Sequence, residues 1–256
     1  MLPMLESFLE KIICHTQNWP MYCPVCGQIT KITNVDPKNI RESCLCHICR
    51  STNRQRQIAY TLCKKIGISS LKKIKGYRGT IYNTESYGNI HNQLIKNKRY
   101  ISSEYFGKKY KSGEMIKGFL HQDLMNLSFK NNSIDIILSS DVFEHIPKPY
   151  SAHHEVFRIL KKHGCHIFTV PFYSNQYKDN NRAFINKKNQ IINLKTPIYH
   201  LDGIRPKKGT LVYNIFGKEM LSKLEQIGFK VKMQKLSKPF SGIFGNGSIV
   251  FIAQKI

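Results

Sequence analysis

The apolar positions of this chain change their spacing near residue 79. Before that point they recur at helical spacing in two stretches, residues 2–12 and 58–66. These stretches predict a short amphipathic helix at the start of the chain and a linker helix after residue 57. After residue 79, short apolar runs bounded by turn residues alternate with helical stretches. This alternation is typical of an α/β domain with a mainly parallel sheet covered on both faces.

Seven apolar runs are predicted to be strands. They are residues 80–83, 100–102, 118–121, 134–139, 165–170, 230–233 and 248–253. Helices are predicted at about 150–160 and 216–227, the second closed by Gly228. Right-handed crossovers place the carboxyl ends of parallel strands along one edge, where open α/β sheets bind ligands.

Acidic residues follow the ends of four predicted strands. Only 12 of the 16 Asp and Glu residues lie after residue 57, and four of these come at strand ends. The four are Glu85, Glu104, Asp123 and Asp141. Carboxylates at this edge suit a ligand that offers ribose hydroxyls, an amino group and an exocyclic amine. The alternative for each one is an ordinary turn or helix-cap residue.

Five of the eight cysteines lie between residues 23 and 49. Two C-x2-C pairs are separated by 19 residues, a spacing typical of a tetrahedral zinc site built from two tight turns. The predicted ligands are Cys23, Cys26, Cys46 and Cys49. Cys44 and His47 stay open as replacement ligands, and reduced buried cysteines are the alternative. Four protein ligands close such a site, so the zinc ribbon is predicted to be structural.

The charge is strongly basic, with 40 Lys and Arg against 16 Asp and Glu and a net charge of +24. Nine of the 40 are Arg, and residues 1–57 carry a net charge of only +3. Because base and phosphate recognition tends to use Arg, dispersed Lys residues favour a solvated basic surface over a nucleic-acid partner. Arg50, Arg54 and Arg56 are interpreted as capping and solvating the linker helix, with contact to an anionic ligand as the alternative. No membrane span or secretory signal is recognised, so a cytoplasmic protein is expected.

The stretch from Asp123 to Tyr150 combines an acid, a strand and Ser-Asp-x-x-Glu-His. A helix, Leu-Lys-x-x-Gly and a strand ending at Pro171 follow it. Over residues 80–256 the chain resembles the class I S-adenosylmethionine-dependent methyltransferases of the type 11 kind. It resembles most the bacterial and viral subgroup with an N-terminal zinc ribbon.

The resemblance implies a Rossmann-like, doubly wound, mainly parallel seven-stranded sheet with an antiparallel last strand. It divides the chain into an N-terminal helix and zinc ribbon (1–57) and a methyltransferase domain (58–256). Residues 172–213 are too long for an ordinary connection and are predicted to be an acceptor-side insertion or a surface insertion with its own hairpin.

The resemblance also implies a site. Glu104 with Tyr105 would hold the ribose hydroxyls of S-adenosylmethionine, and Asp123 with Leu124 would meet the adenine. The methionine end would contact Ser140, Asp141 and Glu144. His145 is the first candidate for a general base and His200 the second. Glu85 and Gly88 stand where the family has a Gly-rich loop, and the chain departs from the family there because it has one Gly.

The expected function is therefore S-adenosylmethionine-dependent methylation of a small-molecule or glycan-precursor acceptor, with one structural zinc. Two alternatives stay open. One is a nucleic-acid-binding protein or RNA methyltransferase that uses the ribbon and the basic surface. The other is a degenerate, non-catalytic methyltransferase-like interaction module.

Overall fold

The computed structural model describes residues 18–201, 209–245 and 247–256. The described chain forms two compact units. The first unit holds the chain up to Gly79 together with Tyr87–Ile101 and Met233–Ile252, and the second holds Thr80–Ser86, Ser102–Lys232 and Ala253–Ile256. The helix expected at residues 2–12 and Cys14 lie outside the described residues.

The strands and helices are as follows, numbered along the chain. The first strands are β1 (Pro20–Tyr22), β2 (Ile29–Thr33), β3 (Leu45–Cys46), β4 (Ile81–Asn83), β5 (Tyr100–Ser102), β6 (Met115–Ile116) and β7 (Phe119–Leu120). There follow β8 (Ile134–Ser140), β9 (Leu160–Thr169), β10 (Asn180–Asn181), β11 (Ala183–Ile185) and β12 (Ile191–Asn193). The last are β13 (Tyr199–His200), β14 (Thr210–Leu211), β15 (Asn214–Ile215), β16 (Phe229–Lys235) and β17 (Ile249–Lys255). The helices are α1 (Asn53–Ile66), α2 (Gly88–Leu94), α3 (Pro149–Ile159) and α4 (Glu219–Ile227).

A mixed, mainly parallel central sheet confirms the α/β fold class. Its strand order is β16-β17-β9-β8-β4-β5. β8 lies between β4 and β9 and is parallel to both, with Asn83 opposite Leu138 and Ser140 opposite Thr169. The loops after β4, β8 and β9 therefore leave the sheet at the same edge, as the apolar runs predicted.

Among the described residues the central sheet has six strands, where seven were predicted. Residues 115–120 form the separate antiparallel hairpin β6-β7 instead of a third long strand. Lys117 and Gly118 connect its strands with φ values of 52° and 82°, and two left-handed residues are what a tight hairpin turn requires. Gly118 is thus a turn residue, and only His121 reaches a parallel neighbour, Glu104, through a single bridge.

The long segment after β9 is built from short antiparallel pairs. β10 pairs with β15, β11 with β12 and β13 with β14. Ala183, Leu211 and Tyr213 form a small buried cluster within it. Residues 202–208 of this segment lie outside the described residues. Among the helices that the structure describes, none has the length and apolar character needed to cross a membrane.

Three histidines are buried inside the second unit, His121, His153 and His166. The ring of His153 stacks on Phe143 at a centroid distance of 4.1 Å. Neither of its ring nitrogens has a hydrogen-bond partner among the described residues. Burial lowers the pKa of His153 well below 6.5, and it lowers the pKa of His166 to about 3.

These shifts predict a loss of stability in acid. As the pH falls below about 6.5, the unfolded chain binds protons that the folded chain does not, so the free energy of unfolding decreases. His153→Phe removes this contribution and keeps the ring packing. It should gain about 1.4 kcal/mol over the parent for each pH unit below that point. Urea unfolding at pH 8 and pH 5 measures the difference, with the exposed His154→Gln as control. Parallel pH profiles for parent and His153→Phe would contradict the account.

Candidate functional site

Four cysteines meet in the first unit, as the sequence predicted. The sulfur atoms of Cys23, Cys26, Cys46 and Cys49 all lie within 4.8 Å of one another. Two sulfur pairs, Cys23–Cys49 and Cys26–Cys46, are separated by 3.8 and 4.0 Å. Burial, together with the neighbouring Cys23, raises the pKa of Cys26 to about 12. Four thiolates are therefore unfavourable here without a cation between them.

The backbone explains why the cysteines converge. Each C-x2-C pair is followed by a left-handed residue, Gly27 at φ 67° and Arg50 at φ 60°. The amide N–H groups of these two residues donate to the carbonyls of Cys23 and Cys46, closing two similar turns. The antiparallel strands β1, β2 and β3 hold the two turns in one small sheet. Cys44 and His47 are not part of the sulfur cluster.

Arg56 is fully buried beside the cysteine turns, so its interpretation as a solvating residue of the linker helix is wrong. Its guanidinium group donates to the carbonyl of Cys44 at 2.6 Å, to that of Gly242 at 2.7 and 2.9 Å, and to that of Ser51. A buried guanidinium needs such partners because its desolvation is costly. Arg54 instead pairs with Glu42 at 2.6 Å.

In the second unit, the loop after β4 approaches the residue that follows β5. The Glu104 side chain is 9% exposed, and its Oε1 accepts the backbone N–H of Ser86 at 2.7 Å. The N–H of Ser103 donates to the carbonyl of Asn83 at 3.2 Å, which keeps the two strand ends side by side. Glu85 lies between Asn83 and Ser86 in this loop, and its carbonyl accepts the Asn83 side chain at 2.8 Å. The structure therefore brings the Glu85 loop and the Glu104 carboxylate together.

Tyr105 and Asp123 lie close in sequence to the bridge that joins Glu104 to His121. Tyr105 directly follows Glu104, and Asp123 lies two residues after His121. The Tyr105 ring stacks on the buried His121 ring at a centroid distance of 5.4 Å. Asp123 uses Oδ1 to accept the N–H of Met125 at 2.9 Å, which closes its own turn. Leu124 is buried in the same turn. Asp123 thus has the ordinary turn role that was the alternative to a ligand-binding role. This turn occupies its Oδ1 atom.

Ser140 and Asp141 end β8 at the edge that β4 and β9 share. Asp141 has φ 55°, so the chain turns sharply there. Its backbone N–H donates to the carbonyl of Thr169 at 3.0 Å, and its Oδ1 accepts the hydroxyl of Thr169 at 2.9 Å. Ser140 is buried. The two residues are therefore fixed to the end of β9 rather than left in a loose loop.

Glu144, His145 and His200 form a second polar cluster, close to Asp141. Glu144 Oε1 lies 3.7 Å from His145 Nε2 and 3.6 Å from His200 Nδ1. The two imidazole rings meet edge to face at 5.0 Å. Burial, and next the charge of Asp141, raise the pKa of Glu144 to about 7. The sequence predicted a role for each of these three residues separately, and the structure brings them together.

Gly88 belongs to the first unit, where it begins α2 with φ 85°. This left-handed backbone is the conformation that favours glycine, so the single Gly of this loop has a defined conformational role. The sequence signal for Gly88 was its place after a predicted strand. No comparable signal exists for the Ser86 N–H that contacts Glu104, because any residue except proline offers a backbone donor.

Residues 99–168 match the family model described as a methyltransferase domain. The match spans Glu104, which lies just beyond β5, and Asp141, which follows β8, together with Asp123, Glu144 and His145. The predicted enzyme class, a methyltransferase, is confirmed. No curated protein matches the chain.

Several solved structures are similar to this chain at low identity. An S-adenosylmethionine-dependent methyltransferase from Mesorhizobium loti has 12% identity and a TM-score of 0.45, with 71% of this chain and 93% of that chain covered. One from Methanosarcina mazei has 18% identity and a TM-score of 0.40, with 70% and 92% covered. The 1,6-didemethyltoxoflavin-N1-methyltransferase of Burkholderia thailandensis, with S-adenosylhomocysteine bound, has 11% identity and a TM-score of 0.47, with 79% and 78% covered.

Proposed function

We propose that this methyltransferase transfers the methyl group of S-adenosylmethionine to a small-molecule or glycan-precursor acceptor. The observation that carries the proposal is the buried Glu104 carboxylate, held by the Ser86 N–H directly after β5. A carboxylate fixed at the carboxyl edge of an α/β sheet is well placed to accept two hydroxyl groups of a ribose. The matched methyltransferase domain supports S-adenosylmethionine as the ligand that brings this ribose.

The other strand-end residues have complementary roles in this proposal. Asp123 and Leu124 meet the adenine, with Tyr105 beside the ribose. Ser140, Asp141, Glu144 and the loop of Glu85 line the methionine end. S-adenosylmethionine, when bound, supplies a methyl group that is already activated on a sulfonium, so the protein contributes mainly orientation.

His145 and His200 are the proposed proton acceptors at the acceptor end. His145 Nδ1 lies 2.8 Å from the carbonyl oxygen of Leu211, which holds the ring in place. His200 is carried by β13, whose partner strand β14 contains Leu211. The segment 172–213 thus supplies both His200 and the contact that orients His145. This shared origin supports its proposed role as the acceptor side of the enzyme.

The sulfur cluster fits a structural zinc ion, which we propose as a second component. Zn–S bonds of about 2.3 Å in a tetrahedron give sulfur–sulfur separations of about 3.8 Å. The two separations of 3.8 and 4.0 Å agree with that geometry. We retain the division into a helix and zinc ribbon (1–57) and a methyltransferase domain (58–256) as part of the proposal.

Calorimetry with S-adenosylmethionine and S-adenosylhomocysteine tests the cofactor site. Glu104→Gln keeps the shape of the side chain but removes the charge that two ribose hydroxyls would share. We expect it to weaken binding of both ligands by about tenfold or more. The exposed Glu114→Gln is the matched control and should bind like the parent. Absence of binding by the parent protein would refute the enzyme proposal, and equal affinities of parent and Glu104→Gln would refute the site.

Metal analysis tests the cysteine cluster. We expect about one zinc per chain in the purified protein, because four sulfur ligands close a structural site. Cys46→Ser should lose the zinc and much of its stability, since metal binding contributes folding free energy. Cys165→Ala changes a buried cysteine outside the cluster and should retain the metal. A folded parent protein without zinc would be incompatible with this part of the proposal.

A further inference from the structure

The Glu144 side chain is fully buried, yet neither of its carboxylate oxygens has a hydrogen-bond partner among the described residues. Buried carboxylates are normally paired with donors, since an unpaired charge in the interior costs several kcal/mol. The imidazoles of His145 and His200 lie close by, 3.7 and 3.6 Å from Oε1. Both distances are longer than a normal hydrogen bond.

The orientation of His145 follows from its second contact. A carbonyl oxygen only accepts hydrogen bonds, so the 2.8 Å contact with Leu211 places the N–H on Nδ1. In the neutral ring, Nε2 then carries a lone pair, and this is the nitrogen that faces Glu144. Histidines that bind metals usually donate their other ring N–H to a carbonyl or a carboxylate in this way.

His200 completes the arrangement from a different part of the chain. The ligand atoms of Glu144, His145 and His200 all lie within 4.8 Å of one another. A proton shared between two of these atoms forms one hydrogen bond and leaves the third atom out of it, whereas one cation can bind all three atoms. Zn–N and Zn–O bonds of about 2.0–2.2 Å in a tetrahedron separate the ligand atoms by about 3.4 Å. The distances of 3.6 and 3.7 Å need to shorten by only a few tenths of an ångström.

We propose that Glu144, His145 and His200 bind a divalent transition-metal ion, separate from the cysteine cluster. Two imidazole nitrogens and one carboxylate oxygen suit Zn²⁺, Mn²⁺, Fe²⁺ or Co²⁺, and they suit Ca²⁺ less well. Three protein ligands leave at least one coordination position open. The His200 side chain is 40% exposed, so this open side is accessible to a small molecule.

The metal also defines the acceptor class, a step that rests on the proposed function. A metal-bound hydroxyl loses its proton more readily than a free one, so it becomes a better nucleophile near neutral pH. The acceptor oxygen then forms a bond to the methyl carbon while the sulfur–methyl bond breaks. The sulfonium leaves as a neutral thioether, and the hydroxyl proton passes to solvent, because His145 and His200 in this arrangement hold the ion instead of accepting the proton. The favoured acceptor is therefore a hydroxyl group, best one with a neighbouring oxygen that chelates the same ion.

Titration of the full zinc-loaded chain with Mn²⁺, followed by electron paramagnetic resonance, tests the site. Mn²⁺ prefers nitrogen and oxygen ligands and competes poorly for a zinc site made of thiolates. The parent should bind one Mn²⁺, and His200→Ala should weaken this binding at least tenfold. Glu144→Gln should do the same with little change in volume. The exposed His154→Ala, outside the cluster, should bind like the parent.

The outcomes separate this site from the proposed cofactor site. Loss of Mn²⁺ binding in both cluster variants, with S-adenosylhomocysteine binding intact in His200→Ala, supports the metal site. Thermal unfolding of each variant checks that the fold is retained, and the half-exposed His200 makes His200→Ala the safer change. No Mn²⁺ binding by the parent, or equal binding by parent and both variants, would overturn the metal site whether or not the cofactor binds.

Discussion

The parallel pairing of β8 with β4 and β9 determines where the candidate side chains of the second unit lie. Its register places the ends of the three strands together, so the polar residues that follow them share one edge. Because β8 is buried almost throughout, this register cannot shift without moving apolar side chains out of the core. The same pairing fixes Asp141 against Thr169 and begins the short turn that carries Glu144 and His145.

The carboxylates at this edge differ in their hydrogen-bond partners. Glu104 accepts a backbone N–H, and Asp141 accepts a hydroxyl. Among the described residues, Glu144 alone of these three has no donor within hydrogen-bond distance, although it is the most deeply buried. Stable folds rarely retain such a group without a functional reason, because it costs free energy. The proposed metal ion and the proposed methyl transfer together account for that cost.

The sequence predicted the features that depend on local spacing. The two C-x2-C pairs indicated the sulfur cluster, and the apolar runs indicated β4, β8 and β9. The hairpin at Lys117–Gly118 was missed because a short apolar run resembles a strand until the turn is recognised. The burial of Arg56 was missed because charged residues are rarely buried, yet it lies three and six residues before Ala59 and Leu62, on their helix face. The contact between Glu144 and His200 depends on the tertiary structure, so no local sequence pattern predicts it.

The central claim is that S-adenosylmethionine binds along the strand-end edge with its sulfur directed to the Glu144 cluster. A crystal structure of the full chain with S-adenosylhomocysteine tests this claim most directly. We expect the ribose hydroxyls within hydrogen-bond distance of Glu104 and the sulfur on the side of Ser140, Asp141 and Glu144. Density for the ligand elsewhere, or a ribose with no contact to Glu104, would contradict the account.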